Sequence, residues 1–299
     1  MQNSQISKKD ENIAFLVGVL TFIMWGLFPI YFKQFDPNIS AFEILSHRII
    51  WSVVFLLIFI KINGKMRSLR QILHLKKVVF MLMITGFFIA SNWGIYIYAV
   101  NSNQILESGL GYLINPLFSM LLGAIFLKER LSLSGKISVC LVFIAIFIQF
   151  YALGRVPFIS ILLPASFAIY GLLKKQLRVG SMEGLFVETM LLFPIALAYV
   201  LFLGGFDKSH FGFDKTGFLM VCSGLVTIAP LITFNFAAKK LKLSTLGFLQ
   251  YISPTSQILV AWLVYNENLD IYKIISFGLI WLGILIVSLD SLRRKNGKF

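Results

Sequence analysis

Charge is what this sequence has least of. Only 13% of its 299 residues are charged, against about 25% in soluble globular domains. Acids are the scarcer sign: 13 Asp and Glu stand against 27 Lys and Arg, for a formal net charge of +14. Cysteine is rare too. Cys140 and Cys222 lie in separate apolar runs, without the spacing of a disulfide framework or a metal site. There are three histidines, and His74 and His210 fall in loops. No P-loop, no HExxH, no cysteine cluster and no credible Ser/His/Asp arrangement occurs. These absences argue against an enzyme and against a bound metal or cofactor.

Apolar residues fill the space: 58% of the chain is hydrophobic, with a mean hydropathy of +0.84. That composition belongs to membrane proteins. The basic excess does not point to nucleic acid. The bases sit in short clusters between apolar runs, the pattern that sets membrane topology. About twelve polar residues open the chain, followed by an apolar run longer than the core of a signal peptide, so it is read as a retained first span.

A helix needs about 20 apolar residues to cross a hydrocarbon core of about 30 Å. Ten segments qualify: 13–32, 43–60, 78–100, 104–127, 134–152, 157–173, 184–203, 216–238, 244–265 and 272–290. The connectors between them are short, so the bundle is the whole protein. With the N-terminus inside, 21 Lys and Arg fall in inside segments and five in outside loops, with Arg48 within a span. This positive-inside pattern places both termini in the cytoplasm.

One stretch occurs twice. ESGLGYLINPLFSMLLGAIFLKERLS (107–132) resembles LGFLQYISPTSQILVAWLVYNENLD (246–270) at an offset of 138, matching Gly109 to Gly247, Pro116 to Pro254 and Glu129 to Glu267. Five spans separate equivalent points. Five is odd, so the two halves cross the membrane in opposite senses. The expected architecture is all-α, ten transmembrane helices as two inverted five-helix repeats, residues 1–152 and 153–299. Inverted repeats are a recurrent construction of secondary transporters.

The segments EILSHRIIWS (43–52), ESGLGYLINPLFSMLLGAIFLKERL (107–131) and KLKLSTLGFLQYISPT (240–255) resemble the RarD-type branch of the EamA family, within the drug/metabolite transporter superfamily. The resemblance implies a ten-span permease of the bacterial inner membrane. It implies a small-molecule substrate such as an amino acid, metabolite or drug, with export the expected direction. Energy would come from protons or from exchange, and the protein would act as a monomer or homodimer. The alternative weighed is a membrane-embedded enzyme acting on a lipid-linked substrate.

Charges inside spans are functional candidates by default. Arg48 is the candidate for a substrate carboxylate. His47, able to titrate near neutral pH, joins it. Asn92, Trp93 and Tyr96 form a polar aromatic patch at mid-depth, and Trp25 adds to it from the first span. Glu43, Glu107 and Glu188 are candidates for proton coupling, each with the alternative of serving a helix N-terminus. Pro116, Pro254, Gly111 and Gly247 are candidates for hinge or gating positions at matching places in the two halves. The substrate site is expected between the halves near the midplane.

Overall fold

A computed structural model describes residues 8–126, 128, 132–174, 176–241 and 249–296, and the described chain is helix and connecting turn, with no strand. The reason is the solvent. Inside a bilayer every backbone N–H and C=O must be satisfied within the chain, and a helix does this alone. The helices are α1 (Lys8–Gly26), α2 (Phe28–Phe32), α3 (Ala41–Ile62), α4 (Met66–His74), α5 (Lys76–Asn101) and α6 (Ile105–Phe126). They continue as α7 (Leu133–Leu153), α8 (Phe158–Lys174), α9 (Ser181–Gly205), α10 (Lys215–Lys240), α11 (Ile252–Leu263) and α12 (Ile271–Asn296).

Among the described residues eight stretches are long and apolar enough to cross a membrane: 10–32, α3, α5, α6, α7, α9, 215–234 and 271–290. The expected sixth and ninth spans are the shorter helices. α8 has 17 residues, roughly 26 Å of helix. α11 has 12, and residues 242–248, at the start of the expected span, lie outside the described residues. The first span is broken. α1 stops at Gly26 and α2 restarts with Pro29 in its first turn, where the missing N–H costs nothing. Within the basic connector 61–77 a short helix, α4, turns Leu69 and Ile72 inward and leaves Arg67 and Arg70 exposed. Its amphipathic face suits the headgroup boundary.

Side chains on the outside of the bundle are apolar. Phe42, Phe87, Phe147, Ile195 and Phe218 are all more than half exposed, a surface that belongs against lipid rather than water. Inside, α6 lies on α8 and α11, α3 on α9 and α10, α5 on α8 and α9, α1 on α10 and α11, and α7 on α12. Every one of these contacts joins an element before residue 154 to one after it.

The connectors gather at two ends. At one, which we call the α2 end, Lys33 bonds Asn103, Arg155 bonds Gln104 at 3.0 Å, and the His210 ring meets Glu43 at 2.8 Å. At the other, the α4 end, Lys65 approaches Glu183 at 3.6 Å and Lys240 approaches Asp10 at 3.5 Å.

α10 and α3 cross closely. A Cβ added at Gly224 would lie 2.6 Å from the Trp51 carbonyl carbon and 2.9 Å from the Ser52 nitrogen, both backbone atoms that cannot step aside. Gly171, also inside a helix, has nothing within 4 Å. Gly224→Ala is therefore expected to destabilise the fold by about 1–3 kcal/mol. Gly171→Ala should be neutral or stabilising by up to about 1 kcal/mol. Unfolding midpoints of the two purified variants, compared with the parent, check the contrast.

A central cavity as the candidate functional site

A cavity of about 680 Å³ lies among α1, α3, α5, α6, α8, α9, α10 and α11. Near the α2 end its walls carry Phe28, Arg48 and Tyr96, and it extends to Lys174, Ser181 and Met182, where α8 ends and α9 begins at the α4 end. Beyond its inner wall the α2 end is closed by packed apolar residues, including Phe32, Phe35, Ile39, Ile97, Val100 and Ile105.

Arg48 is 4% exposed. Its Nε donates to Thr227 Oγ1 at 2.8 Å, and the Thr227 hydroxyl in turn donates to the Ser223 carbonyl at 2.9 Å. That is the guanidinium's one hydrogen bond among the described residues, although the group carries five N–H donors. No carboxylate pairs with it among the described residues. The faces of aromatic rings surround it instead: Trp93 at 4.3 Å, Phe32 at 5.5 Å and Phe28 at 5.9 Å from the guanidinium carbon. A desolvated cation over an indole gains about 2 kcal/mol, less than the several kcal/mol that burying the ion costs.

The other expected substrate residues divide. Trp93, Tyr96, Asn92 and Trp25 all line the cavity with Arg48. The Tyr96 hydroxyl is buried without a partner among the described residues. Asn92 is fully engaged: its Nδ2 donates to the Leu163 carbonyl at 2.9 Å and to Ser166 Oγ at 3.1 Å, and its Oδ1 accepts from Tyr112 Oη at 3.1 Å. It braces α5, α8 and α6 around the cavity. His47 is not brought to the cavity. It sits about 100° round the helix from Arg48, stacked on Phe211 with ring centroids 4.6 Å apart, and both its ring nitrogens are buried without partners.

The carboxylates are occupied. Glu43 accepts from the His210 backbone N–H at 2.7 Å and meets the His210 ring, fastening the 206–214 connector to α3. Glu107 accepts from the Ile159 N–H at 3.2 Å and lies 3.4 Å from Arg155. Glu188, fully buried, pairs with Lys174, accepts from Thr85 Oγ1 at 2.6 Å and lies 3.4 Å from Tyr170 Oη. Glu267 accepts from two backbone amides at the start of α6, Ile105 N–H at 2.7 Å and Leu106 N–H at 2.8 Å. These are first-turn donors with no partner inside the helix. Beside it Lys33 lies 5.8 Å from the Tyr265 ring centroid. Burial holds the Lys33 amine below the ordinary lysine range, and the Glu267 carboxylate opposes that shift.

Pro116 and Pro254 both line the cavity. Gly111 is a packing position: its added Cβ would meet Ser160 Cα at 3.2 Å and Pro164 Cδ at 3.3 Å. Gly247 and Glu129 lie outside the described residues.

Among the lining residues that sequence reasoning does not single out, three carry polar groups of particular interest, Lys174, Asn115 and Gln257. Lys174 was counted with the inner basic cluster, yet it reaches the cavity and Glu188. Asn115 and Gln257 each present a buried amide oxygen without a partner, and both line the cavity. The available signal was their setting, an amide next to Pro116 and another three residues after Pro254, within apolar helices.

Comparisons with known proteins agree with this picture. The model of the EamA-like transporter family matches residues 12–151 and 156–289. An "Uncharacterized transporter" of Vibrio cholerae is 40% identical over 288 residues, covering 96% of this chain and 95% of that protein. "Protein RarD" of Escherichia coli K12 is 37% identical, covering 97% and 99%. "Uncharacterized transporter YojE" of Bacillus subtilis is 38% identical, covering 99% and 98%. A crystal structure with 18% identity superposes with a TM-score of 0.60 over 92% of this chain and 97% of its own, which speaks to the fold alone.

The Lys174–Glu188 pair yields a test. Removing one partner leaves an uncompensated charge in the bilayer interior, so Lys174→Met or Glu188→Leu alone is expected to cost about 3–5 kcal/mol, the lower end because Lys174 is partly exposed. The double variant should recover most of that loss. Unfolding midpoints of all four proteins measure the coupling, and additive losses would count against a paired state.

Proposed function

The chain belongs to the EamA-like transporter family, and from that premise we propose that it is a secondary carrier moving a small organic solute by alternating access, with export as its direction. The observation that carries this reading is a cavity between helices of the two halves, reaching one end and sealed at the other. Residues 1–152 and 153–299 form the two repeats in this proposal. The two ranges matched by the family model support the division. So does the packing. Numbered as ten successive spans, the contacts α6–α8 and α1–α11 exchange under a swap of halves, as do α3–α10 with α5–α9 and α1–α10 with α5–α8. The contacts α3–α9, α6–α11 and α7–α12 map onto themselves.

Both termini are cytoplasmic in this reading, the protein is a multi-pass protein of the bacterial inner membrane, and the cavity faces the cytoplasm. The 21-to-5 distribution of bases supports that orientation, because the base-rich connectors lie at the α4 end. The relatives' names speak of transporters, and none supports the enzyme acting on a lipid-linked substrate. Glu188 is the best placed of the proton-coupling candidates: it alone of Glu43, Glu107 and Glu188 is paired with a cation that lines the cavity. Arg48, Asn92, Trp93, Tyr96 and Trp25 form the substrate chamber. Pro116 and Pro254 bend the helices beside it.

Alternating access requires the sealed α2 end to open, and Glu267 makes one of the contacts that must break there. It joins the connector after α11 in the second half to the first turn of α6 in the first.

Two measurements test the proposal. Protein in liposomes should accumulate radiolabelled solute from a metabolite panel against its gradient. A proton uncoupler should abolish that accumulation if protons drive it, whereas no flux of any solute would sink the carrier. In a cysteine-free background carrying Ser253→Cys, Glu267→Ala should let an impermeant maleimide added from outside label the cavity several-fold faster. Equal rates would remove Glu267 from the seal.

A further inference from the structure

The cavity's own charges define what would complete it. Two cations line it, Arg48 and Lys174. Lys174 is neutralised by Glu188, which also accepts from Thr85. Arg48 has no such partner among the described residues, so the cavity holds one unbalanced positive charge, 4% exposed, with most of its donors unspent. A second donor without an acceptor among the described residues is the hydroxyl of Tyr96, whose ring packs on the same ring as Arg48: Phe32 lies 5.5 Å from the guanidinium carbon and 5.9 Å from the Tyr96 centroid. Both donors thus belong to lining side chains that pack on Phe32. Two other lining residues hold a buried amide oxygen without a donor among the described residues, Asn115 Oδ1 on α6 and Gln257 Oε1 on α11. Much of the remaining lining is aromatic, with Trp25, Phe28, Trp93, Tyr112 and Phe234 among it.

Resting on the carrier reading, we propose that the cavity selects an aromatic carboxylate of net charge −1 that also carries a neutral N–H or O–H donor. The carboxylate takes the fork of Arg48 and the Tyr96 hydroxyl, where charge-assisted bonds are strongest and water is excluded. The ring packs among the aromatic walls. The neutral donor reaches the Asn115 or Gln257 oxygen. An α-ammonium group is disfavoured, because no free carboxylate faces the cavity among the described residues. The volume of about 680 Å³ is that of a pocket for a small drug-sized ligand.

Three probes with one body separate the classes: N-acetylphenylalanine, an anion with an amide N–H; phenylalanine, a zwitterion; and N-acetylphenylalaninamide, which is neutral. Binding to the purified full chain in detergent, by calorimetry, should rank the anion first. Phenylalanine should bind at least about 10-fold more weakly and the neutral amide at least about 30-fold, the loss of one charge-assisted contact. Arg48→Gln should weaken the anion by about 30-fold or more, and Arg48→Lys by less, since it keeps the charge and loses the fork. A second readout guards against misfolding. Removing an unpaired buried charge should leave the ligand-free unfolding midpoint of Arg48→Gln unchanged or raised.

Equal binding of the zwitterion or the neutral amide, no binding of the anion, or full anion binding by Arg48→Gln would each overturn the inference. A large fall in that variant's ligand-free midpoint would also overturn it, by making Arg48 structural. Anion binding without flux in liposomes would sink the carrier reading and leave this one standing. Flux of another solute by a protein that binds no anion would do the reverse.

Discussion

A cation held inside a bilayer without an opposite charge beside it is costly, and the centre of this protein is built around one. Arg48 is tolerated because Trp93, Phe28 and Phe32 turn their electron-rich faces toward it and Thr227 accepts one of its protons. That environment recovers part of the desolvation cost. It also dictates the neighbourhood. α3, α5 and α10 must approach closely enough for Arg48, Trp93 and Thr227 to touch, and Gly224, with no room for a Cβ against the α3 backbone, lets α10 come in. The incomplete compensation is the functional content of the arrangement: what the chain leaves unpaired, a ligand can pair.

The few acids are deployed away from that centre. Glu43, Glu107 and Glu267 all lie toward the α2 end, and each bonds a backbone N–H of a segment distant in sequence. Glu43 holds the connector before α10, Glu107 the first turn of α8, and Glu267 the first turn of α6. A carboxylate at a helix N-terminus is favoured by the helix dipole and by the free amides. Three such contacts close the end of the cavity with polar bonds rather than with apolar packing alone. Polar closures suit a seal that must open, because water can replace each bond as the end opens, whereas an apolar seal would expose its whole buried area.

Much of the fold was legible in the sequence, because the bilayer simplifies it. Apolar runs of spanning length have one structural option, and the spacing of Lys and Arg orders them. What stayed hidden was local. The break between α1 and α2 needs the backbone at Leu27, and α4 lay inside a stretch whose bases masked its apolar face. At the site, Arg48 stood out because charge in a span is conspicuous, and Trp93, Tyr96, Asn92 and Trp25 followed from mid-depth position and polarity. Position along a helix does not say which way it faces. His47, adjacent to Arg48, is therefore a candidate from sequence beside it, though it packs on Phe211 away from the cavity. Lys174 was missed for the opposite reason. It sits at a helix end, where a lysine ordinarily reaches water, and only the packing of α8 against α9 turns it toward Glu188. Gly111 read as a hinge and stands at a tight contact with α8, a distinction that only the neighbour's atoms reveal.

In the proposed repeat the two halves agree in frame and differ in charge. Arg48 is the eighth residue of α3 and Glu188 the eighth residue of α9, the second long helix of each half. One position carries a cation and the other an acid. α3 starts at the α2 end and α9 at the α4 end, so the cation stands nearer the sealed side and the acid nearer the side to which the cavity extends. The acid has been given Lys174, Thr85 and Tyr170, and the cation has been given rings and a single hydroxyl. A perfectly duplicated site would bind a ligand equally in two orientations. Opposite signs at matching positions, one satisfied and one not, give the cavity a direction. In the proposed reading a single anion is drawn past the neutralised Lys174–Glu188 pair toward Arg48, the lining cation that no carboxylate pairs among the described residues.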